Sequence, residues 1–285
     1  MAQTVKIISD STCDLSKDLL EKYDISILPL HILLGETEYR DGVDITPEEI
    51  FRWSDENKTT PKTSAPSMTE AMEVMKPFLD EGREIICFSI SDSMSTSGNV
   101  MRLAAEELEA SDKVTVINSA NLSTGIGLQV IQAALLSAEG KTRAKITAAI
   151  EEIRPRVRAS FTVDTLTYLY RGGRCNAVAA LAGTMLKLHP RIVVEDGAMD
   201  ASKKYRGKLS SVILSYTKDM EDDLKNAVPD RVFITHSSCD REIVESVRSY
   251  LESLGIFNEI LETRAGGVIS SHCGPGTLGV LFIEK

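Results

Sequence analysis

Long apolar runs, paired cysteines and clustered basic residues are all missing from this 285-residue sequence. No run approaches the roughly 18 apolar residues of a membrane-spanning helix. The five cysteines are odd in number and show no C-x-x-C spacing, which argues against a disulfide framework and a zinc site. Four scattered histidines make no metal cluster. Lys and Arg number 32 against 42 Asp and Glu, a formal charge of −10, whereas nucleic-acid and anionic-membrane surfaces need clustered positive charge. The opening "MAQTVKIISD" enters a strand pattern at once, without the shape of a signal peptide. A protein of the reducing cytoplasm, without metal, nucleic acid or integral membrane association, is expected.

The pattern that is present alternates strands and helices, and the length suits about two domains. "VKIIS" reads as a strand and "LSKDLLEKY" as a helix opened by Ser16. "ISILPLHILL" is β-rich, and Pro29 inside it implies an edge or a bulge. "GETEYRDG" predicts a turn or small hairpin. Thr46-Pro47 with two glutamates, and the Ser67–Glu70 capping box, mark helix starts. "EIICFSI" and "KVTVINS" are strands, each followed by a helix, which implies parallel pairing. A helical stretch from Thr142 to about Arg154, stopped by Pro155, joins this unit to a second one. There "RIVVEDGAMD" predicts a hairpin around Asp196-Gly197, "RVFITHSS" a strand and "REIVESVRSYLESLG" an amphipathic helix. "NEILE", "GGVISS" and "GTLGVLFIEK" all read as strands. The expectation is an α/β fold of two domains: residues 1–156 with a mostly parallel sheet, and residues 157–285 with a mixed sheet and helices.

Between "EIICF" and a helical pattern lies "SISDSMSTSGNV", six hydroxyls in twelve residues with no cation. Helix N-terminal amides are unpaired and favour an anion, and hydroxyls add donors without charge. Such a turn suits a carboxylate or a single phosphate. Capping alone explains one or two hydroxyls; six favour a site. "PKTSAPS" is a further hydroxyl loop, for which a rigid turn with a cap is the better explanation, and "ISDSTCDL" another, beyond a strand end, for which capping is an equal one. "STGIGLQV" has Val130 where a dinucleotide fingerprint needs its third glycine, so that fingerprint is rejected. "VDTLTYLYRGGR" is an anion or partner contact, or a helix end with Gly172 as its left-handed cap. His272 lies in "SSHCGPGTLG", a glycine-rich loop in which backbone can approach a ligand. A serine hydrolase with Ser95 as nucleophile and His272 as base is the rival reading, without a G-x-S-x-G elbow to support it.

Seven landmarks, in order, resemble the DegV proteins, a bacterial fatty-acid-binding family. They are "DSTCDL" (Asp10–Leu15), "TSAPS" (Thr63–Ser67), "SDSMSTSGN" (Ser91–Asn99), "NSANLSTGIG" (Asn118–Gly127), "LYRGGR" (Leu169–Arg174), "LKLHPRI" (Leu186–Ile192) and "HCGPGTLGVLF" (His272–Phe282). The resemblance implies a long-chain fatty acid buried in a cleft between two α/β domains. It implies a carboxylate held by Thr63 and Ser95, with Thr96 and Ser97 beside them, and Arg174 and His272 near the headgroup. Leu166, Leu181, Met185 and Leu186 are then expected along the acyl tunnel. No cofactor and no catalysis by this chain are implied. Instead the carboxylate is presented to a separate fatty acid kinase, which makes an acyl phosphate for phospholipid metabolism. The serine loop departs from the commoner L-S-G-T-Y form, with Thr96 for glycine and Gly98 for the aromatic; Asn118 stands where an aspartate is common. Those departures bear on the shape of the nearby pocket.

Overall fold

The computed structural model describes residues 5–175 and 188–285. β1 (Val5–Asp10) leads through a short 3-10 turn to α1 (Lys17–Lys22), where the Ser16 side chain accepts the Leu19 amide. Pro29 splits the next apolar run into β2 (Ile25–Leu28) and β3 (His31–Leu34), which join different sheets. β4 (Thr37–Arg40) folds back on β3 as the expected hairpin. α2 (Pro47–Asn57), β5 (Lys62–Ser64) and α3 (Met68–Asp80) follow. Both helices begin with complete capping boxes, Thr46 with Glu49 and Ser67 with Glu70. β6 (Glu84–Ser89), α4 (Ser97–Glu107), β7 (Val114–Asn118), α5 (Thr124–Ala138) and α6 (Arg143–Ile153) come next.

The remaining elements are β8 (Val157–Thr162), α7 (Thr167–Gly172), β9 (Leu188–Glu195), β10 (Ala198–Arg206), α8 (Leu209–Lys218) and α9 (Glu221–Lys225). β11 (Ala227–Ser237), α10 (Arg241–Leu254), β12 (Glu259–Arg264), α11 (Gly267–Cys273) and β13 (Thr277–Glu284) close the chain.

The fold is α/β. One sheet, in order β2-β1-β6-β7, is wholly parallel. The second, β10-β9-β8-β13-β11-β12, is mixed, with β11 and β12 its parallel pair. A third sheet, β4-β3-β5, is antiparallel and was not anticipated from sequence. β5 comes from "PKTSAPS", read above as a loop.

α5 lies between the two larger sheets and is buried on nearly all sides, as a helix apolar all round must be. One hydrophobic cluster runs through it, from Ile7, Ile86 and Phe88 of the parallel sheet to Phe161, Ile192 and Leu281 of the mixed one. Along β13 the side chains alternate. Leu278, Val280 and Phe282 enter a second cluster against α8 and α10, while Thr277, Gly279 and Leu281 face the opposite side.

"GGVISS" is not a strand. It forms the start of α11, because its first amides meet carboxylates from distant sequence. Gly266 N–H donates to Asp14 at 2.8 Å and Gly267 N–H to Asp41 at 2.7 Å. Helix N-terminal amides have no partners of their own, so these acceptors make a helix the satisfied state.

Candidate functional site

A cavity of about 480 Å³ opens beyond the carboxyl ends of β6 and β7, where open α/β sheets hold ligands. Its floor is the face of the mixed sheet carrying Phe161, Thr235, Thr277, Gly279 and Leu281. Ile90, Met94 and Leu122 line it from the first half of the chain, and Leu169, Val268 and Ile269 from the second. The floor hydroxyls are already satisfied: Thr235 by Thr124 and Thr263, and Thr277 by the Cys273 carbonyl. They therefore offer the cavity little but their methyl groups.

The hydroxyl turn divides its labour. Ser91 and Ser93 donate to the Gly197 carbonyl at 2.6 and 2.5 Å, fastening the turn of the β9–β10 hairpin. Ser97 donates to Asp10 and is fully buried. Ser95 and Thr96 line the cavity. The Ser95 oxygen accepts the Ser97 amide at 3.2 Å, and Thr96 makes no side-chain capping bond. Two hydroxyls of the six thus face the cavity with protons to give.

Thr63 arrives from the third sheet, placed by its register opposite Ile32. Its Oγ1 lies 2.8 Å from His272 Nε2. His272 sits in the last turn of α11, not in a loop. Burial, and secondarily the charge of Arg174, lowers its pKa to about 4, so the ring is neutral at pH 7. Arg174 is exposed at the cavity rim and donates to the Gly172 carbonyl at 2.7 Å. The left-handed cap of α7 is Gly173 rather than Gly172. Gly172 instead lies against the His272 ring, with no room for a Cβ.

Both ends of α11 are thereby seated on residues from the first half of the chain, Asp14 and Asp41 at its start and Thr63 at its end. Asp10, Asp14 and Asp41 are buried. Their carboxyls are pushed above the usual range by burial first, and hydrogen bonds oppose that shift. Ser123 at 2.5 Å supports Asp14, and Ser11 at 2.8 Å supports Asp41. These aspartates were missed as site builders, although "DSTCDL" was noticed. For Asp14 and Asp41 the acceptor role depends on a helix more than 220 residues away, and for Asp10 on Ile90 and Ser97, which no local pattern encodes. His236 was also missed. It lines the cavity at the end of β11, and burial lowers its pKa.

Thr63, Ser95, Thr96, Arg174 and His272 are brought to one cavity. Two residues expected at the site, Ser97 and Leu166, do not line this cavity. Ser97 turns away from the cavity because Asp10 takes its hydroxyl. Leu166, at the start of α7, and Leu169 both belong to the core cluster, but of the two only Leu169 lines the cavity. Leu181, Met185 and Leu186 lie outside the described residues. His272 Nε2 is engaged by Thr63, and among the described residues no histidine is hydrogen-bonded to Ser95, so the pairing a hydrolase needs is not made. Burial holds the Cys273 thiol, also at the cavity, up at about 12, where it is inert.

The family model for DegV, described as an uncharacterised protein family, matches residues 4–285. The chain belongs to the DegV family. A DegV domain-containing protein of Clostridium perfringens is 32% identical over 281 residues, covering 99% of each chain. Among solved structures, a fatty-acid-binding DegV family protein from Thermus thermophilus superposes with a TM-score of 0.91 at 31% identity, covering 99% of this chain and 100% of that one. A stearic-acid-binding protein from Eubacterium ventriosum gives 0.85 at 31%, covering 99% of this chain and 98% of that one. No helix among the described residues of this DegV chain is long and apolar enough to cross a membrane.

Proposed function

We propose that this DegV chain is a carrier that binds one long-chain fatty acid between two α/β units, residues 1–156 and 157–285. The observation that carries the reading is the apolar cavity into which Thr63, Ser95 and Thr96 bring hydroxyls without a buried cation. Each hydrogen bond to a carboxylate is worth roughly 1.5–3 kcal/mol, so several convergent donors replace a cation. The acyl chain supplies most of the gross affinity, at roughly 0.8 kcal/mol per buried methylene. The fatty acids named for the Thermus and Eubacterium relatives support the same assignment.

The chain holds its ligand rather than transforming it. Arg174 at the rim and His272 at the headgroup suit a carboxylate presented to a fatty acid kinase, where positioned donors stabilise charge that develops in phosphoryl transfer. Denaturing extraction of the purified protein, followed by mass spectrometry, is the direct test. A free long-chain fatty acid is expected; phospholipid, nucleotide or nothing would defeat the reading. For the kinase step, His272→Ala should lose more acyl-phosphate turnover than fatty-acid affinity. Equal losses would reduce His272 to a ligand contact.

A further inference from the structure

We infer that His272 is held as its Nε2–H tautomer, that this makes Thr63 a one-way donor into the cavity, and that Gly172 is the positioning residue that enforces the arrangement. A neutral imidazole carries one N–H and one bare lone pair. The two ring nitrogens of His272 have different surroundings. Nε2 has Thr63 Oγ1 at 2.8 Å. Nδ1 is shielded from solvent and has no hydrogen-bond partner among the described residues. What faces it is Gly172, so closely that a Cβ on that residue would lie 2.4 Å from Nδ1. The contact is therefore with the Gly172 Cα and its hydrogens.

A proton on Nδ1 would be a buried donor aimed at carbon, and leaving a buried donor unmade is disfavoured by roughly five-fold to a hundred-fold. A lone pair on Nδ1 can instead accept a weak contact from the Cα hydrogen. The proton belongs on Nε2, which donates to Thr63. The lowered pKa of His272 agrees, since the imidazolium would carry both protons.

The consequence falls on the ligand. With its oxygen accepting from His272, the Thr63 hydroxyl must send its own proton elsewhere, and its side chain borders the cavity. It then attracts an acceptor such as a carboxylate. The opposite tautomer would draw the Thr63 proton into the histidine and leave oxygen lone pairs facing the anion. One proton's position thus decides whether Thr63 attracts or repels the headgroup. The carboxylate itself is taken from the function proposed above; the tautomer does not depend on it.

The first test is a two-bond proton–nitrogen correlation spectrum of the full chain labelled with 15N-histidine, at neutral pH. The His272 signals are assigned by their loss in His272→Gln. A lone-pair-type Nδ1 with a protonated Nε2 is expected; a protonated Nδ1 overturns the inference. The second is palmitate affinity by calorimetry. Glutamine places an amide N–H where Nε2 stood, whereas asparagine places one near Nδ1. His272→Gln should stay within a few-fold of the parent. His272→Asn and Gly172→Ala should weaken binding by roughly ten-fold or more. A glutamine variant as weak as the asparagine variant overturns the inference. If Gly172→Ala does not fold, the spectrum decides. If the parent binds no palmitate, the fatty-acid reading fails and the spectrum alone judges the tautomer.

Discussion

The Ser97 hydroxyl lies 2.9 Å from the Asp10 carboxylate and donates to it, although Ser95, two residues earlier, borders the cavity. The two serines are expected to fail in different ways. Ser97→Ala removes one of the donors on a buried carboxylate, so stability should fall by about 1.5–3 kcal/mol while the folded protein binds fatty acid as before. Ser95→Ala gives up the bond from the Ser97 amide, at about 0.5–1.5 kcal/mol of stability, and should weaken fatty-acid binding roughly ten- to a hundred-fold. Urea unfolding and calorimetry on both variants separate the two. The reverse pattern would exchange their roles.

Thr63→Val keeps the shape of the side chain and deletes its hydroxyl. The ligand loses a donor, and the buried His272 Nε2 loses its partner. Affinity should drop roughly ten- to a hundred-fold, with about 1–3 kcal/mol of stability lost as well. Thr63→Ser should restore most of both. Binding and thermal melting measured together check this, and unchanged binding in the valine variant would remove Thr63 from the headgroup.

The three buried aspartates predict an unusual response to acid. Burial raises the Asp14 carboxyl well above its ordinary 3.8, and the charges of Asp41 and Asp10 push the same way. Between the ordinary value and the raised one, the native state binds more protons than the unfolded chain. Stability from this group therefore falls as pH rises through that window. His272 has the opposite sign: its lowered pKa makes the native state lose stability as pH falls from 6.5 toward about 4. Asp14→Asn isolates the first effect, because the histidine contribution cancels between variant and parent. The asparagine carbonyl still accepts the Gly266 amide. The variant should gain relative to the parent as pH rises from 4 toward neutrality. Urea midpoints across that range measure it, and parallel curves would contradict the raised pKa.

Gly267 begins α11 where a Cβ would meet Ile32 at 2.5 Å and Ile50 at 2.9 Å. Gly267→Ala improves helix propensity but overpacks this contact, and we expect a net loss of about 1–3 kcal/mol. A rise in melting temperature would mean that the contact gives way easily.

Local chemistry was legible in the sequence wherever a few adjacent residues decide the outcome. The capping boxes at Thr46 and Ser67 and the Asp196-Gly197 hairpin are of this kind. α11 was not legible, because its short apolar pattern fits either period and its deciding partners, Asp14 and Asp41, are far away in sequence. The third sheet was hidden for the same reason, since β5 has three residues and exists by pairing with β3. Around the cavity, motif spacing located segments that reach it but could not aim each side chain. Ser97 stands one position from Thr96 and Leu166 three from Leu169, which line the cavity.

β13 places two requirements on interleaved letters of one eight-residue strand. Positions 277, 279 and 281 face the cavity, and positions 278, 280 and 282 hold the opposite core. The two sets are not independent, because the cavity face of the strand is itself partly core. Of the three cavity-facing letters, Leu281 also belongs to the core between the sheets, and a Cβ at Gly279 would meet the Ser160 carbonyl at 2.9 Å, which leaves position 277 as the one where the floor can change with the least disturbance of the packing.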